Sequence, residues 1–507
     1  MSLERRIRVK TSNPEMRARF LSASYAPYEA RIEVDLATAP ADRDAVWRAF
    51  RTAETVRALS LADRLAHTSR GSATRRDAEL EKLRHDMAAL QLDLDRQSRA
   101  GDVDEDALLE TRRRIDATQA RLEARLLRQD GVQASSQPGI PESRGTVQSA
   151  LPADAAVLAF FVGERRSHGW LLTHRELRHA VLPGRRVLGE LVAATITQQR
   201  VPAKSPAVNA FTPLLESLLQ GVTAKRLLIL PDGPLHGMPF ATIPLPRGSA
   251  RELLIDRFVI ASAPSLAVAL HPAVRDADPE TLVAVVSDPV YTPDDRRLTV
   301  AASDASVFRG ADGPSQRLAR LPYSAIEARS VMRAFDGAHI IELNGFNATA
   351  RRVIELPSQQ LDVLHFATHA VVREDAPEQS ALFLSEYAAD GSPLAADRLT
   401  ADDITRSGLR ADIVVLSGCA TGDGRELRGE GVLGLTYGFL ANGSNTVVAS
   451  LWPVEDALTA RFMEEFYTAY RASGHAAEAL RTAQLRTRSK TGPTVWSSFV
   501  VRSNGLP

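Results

Sequence analysis

Cysteine is almost absent from this sequence: the 507 residues contain one, Cys419. A disulfide within the chain is therefore impossible, and so is a zinc site built from several thiolates. The sequence also lacks any run of about 18 apolar residues, and its first residues, MSLERRIRVK, contain no apolar stretch of the signal-peptide type. We therefore expect no membrane span and a cytoplasmic, reducing location, in which a free thiol survives.

Net charge is also lacking, because 62 basic residues balance 62 acidic ones. No global field exists to concentrate nucleic acid or an anionic membrane, so a nucleic-acid partner is not indicated. Only five residues are lysine, and this dominance of arginine indicates a high-GC bacterial coding bias. The composition, 44% hydrophobic and 24% charged, is typical of a globular protein, and the length predicts two or three domains.

Residues 1–130 have the pattern of an all-helical region. Asn13 can cap a helix whose first position is Pro14. Further along, apolar residues recur at heptad spacing in two stretches that a polar segment around Gly101 separates. This arrangement predicts a coiled-coil-like antiparallel hairpin, which either packs on itself and the next domain or offers a dimer or partner surface. The seam residues are Leu80, Leu83, Met87, Leu90 and Leu94, followed by Leu108, Ile115 and Leu122.

The pattern changes after a linker at residues 131–148. Short apolar runs rich in β-branched residues then alternate with helical segments, which predicts an α/β fold around a mainly parallel sheet flanked by helices. A strand leads into a turn-rich loop twice, as RLLILP into DGPLHGMPF and as DIVVLSG into CATGDG. We interpret this repetition as two related halves, an inactive one at 149–320 and an active one at 321–507.

The strongest chemical signal comes from two strand ends. Cys419 follows the buried run DIVVLSG, and His369 ends the run LDVLHFATH exactly 50 residues earlier in the chain. Taken alone, Cys419 is compatible with an inert buried thiol and His369 with a structural histidine. Because catalytic groups of parallel sheets lie beyond the carboxyl ends of strands, neighbouring strands would bring both side chains to one edge. We therefore predict a Cys–His pair.

Thiol chemistry then suggests a mechanism. The His369 imidazole raises the thiolate fraction of Cys419, and the thiolate attacks a peptide carbonyl. Backbone N–H groups of Cys419 and Ala370 stabilise the oxyanion, and His369 protonates the leaving amine. No metal or organic cofactor is needed. A metal pair at His365 and His369 would require a helix, whereas the flanking residues indicate a strand, so we predict a buried, hydrogen-bonded His365.

The segments HFATHA and LSGCATG resemble the CHAT peptidases, which are grouped with caspases, separases and gingipains. LLILPDGPLHGMPFATIP, VVSDPVY, LPYSAIEARSVMRAF, GEGVLGLTYGFLANGSNTVVASLWPVED and WSSFVV are similar to further segments of that family. The resemblance implies a cysteine endopeptidase with Cys419 and His369 as catalytic residues. One departure is Ala370, where the family often has glycine. A scaffold that binds partners with little or no cleavage is the alternative, and a cysteine acyltransferase is a third.

Resemblance also suggests specificity and regulation. In separase relatives an acidic residue after a Trp-containing strand binds a basic P1 side chain, and LWPVED places Asp456 and Glu455 similarly. The alternative role of Asp456 is a helix cap. Asp423 and Glu430 are lower-ranked pocket candidates. The N-terminal helices resemble those that end tetratricopeptide repeats before a CHAT domain, so we expect an activating protein partner bound through these helices. By family analogy we also expect a protein substrate and a role in bacterial defence.

Overall fold

The protein is described by a computed structural model. The chain divides into two compact units, Met1–Ser24 with Ser69–Gln137, and Tyr25–Thr68 with Pro138–Pro507. The predicted hairpin seams between Leu80 and Leu122 lie outside the described residues. The structure describes residues 27–37, 42–57, 110–111, 113–114, 117–118, 140–200, 210–246, 252–271, 281–298, 318–356, 361–371, 380–394, 398–418, 426–427, 431–432 and 434–507.

Strands form the centre of the larger unit. Numbered in chain order, they are β1 (Ala155–Phe161), β2 (Arg166–Thr173), β3 (Leu177–Pro183), β4 (Arg226–Leu230), β5 (Val259–Ser262), β6 (Leu282–Ser287), β7 (His339–Asn344), β8 (Leu361–Ala367), β9 (Ala370–Val371), β10 (Ala381–Phe383), β11 (Arg398–Thr400), β12 (Ala411–Leu416), β13 (Glu426–Leu427), β14 (Gly431–Val432), β15 (Thr446–Ser450) and β16 (Phe499–Ser503).

Helices connect these strands and cover both faces of the sheet. They are α1 (27–37), α2 (Arg43–Arg57), α3 (Arg144–Ala150), α4 (Arg185–Arg200), α5 (Thr212–Leu219), α6 (Leu254–Arg257), α7 (Leu266–Ala269), α8 (Ser324–Ala334), α9 (Ala350–Ile354), α10 (Ala401–Ser407), α11 (Leu435–Ala441), α12 (Asp456–Ser473), α13 (Ala476–Thr491) and α14 (Pro493–Trp496). In the part of the chain described here, no helix has the length and apolar character needed to cross a membrane.

Eleven strands form one sheet in the order β3-β2-β1-β4-β5-β16-β15-β12-β8-β6-β7. Neighbouring strands run parallel except at β3–β2, β2–β1 and β15–β16. Alternate residues of each central strand point to opposite apolar cores, which explains why these strands are apolar throughout. The predicted mainly parallel sheet flanked by helices, with a helical N-terminal region, is confirmed.

The sheet has a narrow junction near its middle. Strands β5 and β16 pair only through Ser262 and Arg502, whereas strands on either side have several pairs. One apolar core covers one face across this junction, and two separate cores cover the other face. Strand β6, which precedes residue 320, lies between β8 and β7. The division into halves at 149–320 and 321–507 stays a prediction.

Helix α2 is part of the same compact unit as the sheet. Its apolar face, including Phe50, joins the core that covers the strands. At its end Glu54 accepts a hydrogen bond from the backbone N–H of Leu266 at 2.6 Å. Arg57 donates to Glu54 and to the carbonyl of Phe160 in β1, and both charged side chains are almost completely buried. Residues 43–57 are therefore an integral part of the α/β body.

We predict that Glu54→Ala lowers the free energy of unfolding by about 3–5 kcal/mol, because it leaves the buried Arg57 cation without its partner. Thr55→Ala changes an exposed neighbour on the same helix and should alter stability by about 0.5 kcal/mol or less. Urea unfolding monitored by tryptophan fluorescence measures both. Equal midpoints for the two variants would contradict the role of this ion pair.

Candidate functional site

Two neighbouring parallel strands, β8 and β12, bring the predicted site together. Their register pairs Phe366 with Leu416. Beyond this pair, Ser417 donates a hydrogen bond to the carbonyl of Phe366 from its backbone N–H at 3.0 Å and from its hydroxyl at 3.1 Å. The two chains therefore leave the sheet side by side, and His369 follows β8 by two residues.

Gly418 lies tightly against the chain that leads to His369. A Cβ atom added to Gly418 would lie 2.1 Å from the carbonyl oxygen of Thr368 and 3.5 Å from the amide nitrogen of Ala370. Only glycine fits this approach without displacing backbone. The Ser450 hydroxyl restrains the peptide group that follows Gly418, because it donates a hydrogen bond to the Gly418 carbonyl oxygen at 2.7 Å.

Three of the predicted site residues lie outside the described residues: Cys419, Asp423 and Glu430. Cys419 is the next residue in the sequence after Gly418, which is described. The site is therefore characterised from the His369 strand, from the chain up to Gly418 and from the elements around them.

His369 is half-buried, and contacts from a distant segment restrain its ring. Its Nε2 atom lies 2.7 Å from the carbonyl oxygen of Ala319. The Tyr291 ring packs against the imidazole with centroids 5.1 Å apart, and the Tyr291 hydroxyl accepts the backbone N–H of His369 at 3.2 Å. Burial also raises the pKa of the Tyr291 hydroxyl, which keeps it neutral.

The Ala319 contact determines the tautomer of His369. Burial lowers the pKa of His369, and the hydrogen bond to Ala319 opposes this shift only in part. A carbonyl oxygen only accepts hydrogen bonds, so Nε2 must carry the proton in the neutral ring. The Nδ1 atom then keeps its lone pair and is the basic atom of the side chain.

His365 is a buried strand residue, as predicted. Its Nδ1 atom lies 2.9 Å from the hydroxyl of Tyr467 in α12. Its Nε2 atom lies 3.0 Å from the Glu327 carboxylate, in an ion-pair contact without the alignment of a hydrogen bond. Among the residues that the structure describes, no group of three or more His, Cys, Asp or Glu side chains is arranged to hold a metal ion.

A narrow cleft beside these strand ends contains two carboxylates. Glu327 from α8 is buried, with one carboxylate oxygen lacking a hydrogen-bond partner, and Asp456 lies at the start of α12. The cleft volume is about 20 Å³, the room of roughly one water molecule. Its lining comprises Leu321, Ser324, Glu327, Ala367, Thr368, Ser417, Gly418, Val454, Asp456 and Thr459.

Asp456 and its neighbour Glu455 have different positions. Glu455 is exposed, occupies the cap position of α12 without a capping side-chain bond, and does not line the cleft. The Asp456 carboxylate accepts the backbone N–H of Tyr323 at 2.8 Å and so caps the start of α8. Burial raises the pKa of Asp456, and the nearby Glu327 adds to that increase.

Ala370 is positioned by a small sheet next to the site. It belongs to β9, where it faces Leu382 of β10, and the carbonyl of His369 accepts the N–H of Phe383 at 2.8 Å. This pairing fixes the backbone on both sides of His369. The resulting position of the Ala370 amide next to Gly418 is compatible with the oxyanion role that the sequence suggested.

The loop that follows β4 makes structural contacts. The Asp232 carboxylate accepts the backbone N–H of Val162 at 2.7 Å. His236 is enclosed beside Arg502, and burial lowers its pKa well below the ordinary histidine value. These contacts indicate a structural role for both residues.

Sequence reasoning missed Ala319, Tyr291 and Glu327 as contributors to the site. Tyr291 and Glu327 lie in the segments VVSDPVY and LPYSAIEARSVMRAF, whose resemblance to the family was noted without a role for either residue. Ala319 acts through a backbone carbonyl, an atom that every residue has. No side-chain pattern could have identified it.

Comparisons with known proteins find a matching domain family and similar relatives. The CHAT domain family model matches residues 206–504. Tetratricopeptide repeat protein 28 is 27% identical over 317 residues in human and 26% identical over 318 residues in mouse. The matches cover 55% of this chain but only 12% of each relative, so the chain spans about an eighth of the length of these curated relatives.

Solved structures show similarity at low identity. The yeast separase–securin complex (Saccharomyces cerevisiae) has a TM-score of 0.44 and 9% identity, and covers 98% of this chain and 38% of that one. The Arg-specific cysteine proteinase gingipain R has a TM-score of 0.34 and 11% identity, and covers 63% of this chain and 74% of that one.

We predict that His369 titrates below the ordinary histidine pKa of about 6.5 in the Cys419→Ala variant, because burial disfavours the imidazolium. The neutral ring is then present at pH 7 and is lost as the pH falls through the lowered pKa. Nitrogen-15 NMR of the histidine side chains measures this midpoint and shows which nitrogen carries the proton. A midpoint at or above 6.5, or a proton on Nδ1, would contradict the described environment.

Proposed function

We propose, starting from the fact that this chain belongs to the CHAT domain family, that it is a cysteine endopeptidase that cleaves protein substrates through Cys419 and His369. The observation that carries this proposal is the approach of Gly418 to the backbone between Thr368 and Ala370. Cys419 is one peptide bond beyond Gly418, and His369 lies between Thr368 and Ala370. The contact supports a pairing of the thiol with the imidazole.

The described contacts support the following sequence of steps. With Nε2–H bound to the Ala319 carbonyl, Nδ1 of His369 accepts the proton of the Cys419 thiol. The thiolate attacks the scissile carbonyl, and the N–H groups of Ala370 and Cys419 stabilise the oxyanion. The imidazolium then returns the proton to the leaving amine, and water hydrolyses the thioester. Each step uses only groups of this chain, the substrate and water.

The cleft next to Gly418 supports a preference for lysine or arginine at P1. The carboxylates of Glu327 and Asp456 both line it, so a cationic side chain would relieve their mutual repulsion and form charge-assisted hydrogen bonds. The volume of about 20 Å³ is too small for such a side chain as the cleft stands. Entry of P1 therefore requires the residues that line the cleft to move apart.

Regulation through a protein partner at the N-terminal helices remains part of the proposal, as does action in a reducing cytoplasm. A single cysteine in 507 residues is compatible with a compartment that keeps it as a free thiol. Because α2 packs into the core of the body, a truncation that tests for regulation has to keep residues 43–57. Peptide cleavage by such a truncation at the rate of the complete chain, both with and without a candidate partner, would remove the regulatory proposal.

We predict that a peptidyl electrophile with arginine at P1 labels Cys419 and that His369→Ala slows labelling about 100-fold or more, because the thiol loses its base. His475→Ala alters an exposed histidine at the start of α13 and should leave the rate unchanged. Intact-mass spectrometry over time gives the rates. If the His369→Ala and wild-type rates are equal, the dyad is wrong. Labelling without any peptide hydrolysis would favour the scaffold alternative.

We also predict that peptides with Arg or Lys at P1 have a higher kcat/KM than peptides with Leu or Asp. Asp456→Asn should lower kcat/KM for the Arg peptide about 10- to 100-fold, since it removes a charge-assisted contact of about 1.5–3 kcal/mol. Glu455→Gln removes the neighbouring carboxylate outside the cleft and serves as the matched control. A flat P1 profile in the wild type would reject the basic pocket.

A further inference from the structure

The restraint on His369 comes from a short stretch of main chain that leads into α8. Ala319 lies four residues before Tyr323, which caps the start of α8, and its carbonyl contacts Nε2 at 2.7 Å. In serine and cysteine enzymes a carboxylate or an amide side chain commonly orients the catalytic imidazole. A backbone carbonyl can serve this purpose only if its own segment is held in place.

Arg320, the residue after Ala319, provides the attachment. Its Nε atom donates to one oxygen of the Asp288 carboxylate at 2.9 Å, and its Nη2 atom donates to the other at 2.7 Å. This bidentate arrangement fixes both distance and orientation. Asp288 directly follows β6, which pairs with the His369 strand β8, so the ion pair links the Ala319 segment to the sheet edge.

Asp288 is itself held on several sides. Its backbone N–H donates to the Ser324 hydroxyl at 3.1 Å, and its carbonyl accepts from Arg297 at 2.8 Å. The Asp288 side chain is 5% exposed, and Arg297 also lies 3.0 Å from its carboxylate. Asp295 pairs with Arg297 in turn at 2.7 Å.

The backbone of Asp288 has an unusual conformation. With φ at +48°, it is the one non-glycine position of the described chain with a positive φ. This left-handed region costs roughly 1 kcal/mol or more for most residues, although Asp tolerates it better than others. Such strain persists where surrounding contacts impose it, and it is concentrated at functional sites. Here those contacts surround the residue whose carboxylate binds Arg320.

From this geometry we infer that Asp288 and Arg320 form a positioning pair, which holds the Ala319 carbonyl on Nε2 of His369 and thereby selects the tautomer with a free Nδ1. Neither residue contacts the imidazole. That this tautomer helps the reaction rests on the proposed function, whereas the selection of the tautomer itself does not. The carbonyl at Nε2 keeps the basic lone pair on Nδ1.

A purely structural role would give a different signature. The Arg320 side chain is 47% exposed, and ion pairs with so exposed a partner contribute about 1 kcal/mol or less to stability. Asp288 also keeps Arg297 when Arg320 is lost. Removing Arg320 should therefore leave the fold stable while freeing the Ala319 carbonyl, so its effect on the imidazole should exceed its effect on stability.

The first test measures the imidazole directly in the complete chain carrying Cys419→Ala. Nitrogen-15 shifts should show His369 predominantly as the Nε2–H tautomer, and Arg320→Ala should convert it to a mixture of tautomers. Arg329→Ala is the control, because Arg329 lines an open surface cavity together with Arg320 and Asp288 but has no ion pair among the residues that the structure describes; it should leave the shifts unchanged. Unchanged His369 shifts in Arg320→Ala would overturn the proposal.

The second test uses peptide hydrolysis by the chain with Cys419 present. Arg320→Ala should lower kcat about 10- to 100-fold with little change in KM, because a misoriented base affects the chemical step more than binding. Asp288→Asn keeps a residue that tolerates positive φ and should give a similar loss, and the double variant should lose no more than either single variant. Additive losses would overturn the pairing.

These two tests separate the inference from the proposed function. If the wild-type chain hydrolyses no peptide, alone or with a candidate partner, the peptidase proposal fails, while the nitrogen-15 shifts still decide whether the pair selects the tautomer. Should Arg320→Ala not fold, Arg320→Lys retains the charge but loses the bidentate fork, and a shift toward mixed tautomers is again expected. An unaltered His369 in folded Arg320→Lys and Asp288→Asn would contradict the inference.

Discussion

The parallel pairing of β8 with β12 is the constraint on which the site depends. Because Phe366 faces Leu416, the chains beyond both strands emerge at the same edge, and Gly418 contacts the backbone next to His369. A slip of one residue would turn every apolar side chain of a strand toward the opposite core. Since both faces of the sheet are covered, the apolar packing that stabilises the fold also fixes the alignment of the site.

The parallel strands β8 and β12 could be predicted from the sequence, because strands buried on both faces are continuous runs of apolar residues. The runs ending at His369 and Gly418 are apolar with small residues at their ends, which is enough to indicate strands, their parallel arrangement and an edge where polar groups meet. Asp456 shows where local patterns stop being sufficient. Its sequence position is compatible with either a helix cap or a pocket carboxylate. In the structure Asp456 caps the start of α8 by accepting from Tyr323, 133 residues earlier in the chain, and it also lines the cleft.

Contacts made by backbone atoms, and contacts between segments far apart in the chain, could not be predicted from the sequence. The Ala319 carbonyl has no side-chain signature, and its position depends on Arg320 reaching Asp288, 32 residues earlier. The positive φ of Asp288 occurs where these tertiary contacts meet. The junction between β5 and β16 likewise joins strands that are far apart in the chain, so only the assembled sheet shows how narrow it is.

The carbonyl at Nε2 affects the pKa of His369 differently from a carboxylate. A carboxylate at that position would favour the imidazolium and raise the pKa of the ring, so a larger fraction of the resting histidine would be charged. A carbonyl orients the ring with a hydrogen bond but adds no net charge, and burial then keeps the pKa low. For the proposed reaction this arrangement supplies a neutral, oriented base at rest. The same carbonyl can still stabilise the imidazolium that forms when the thiol transfers its proton, because its hydrogen bond strengthens as the ring becomes charged.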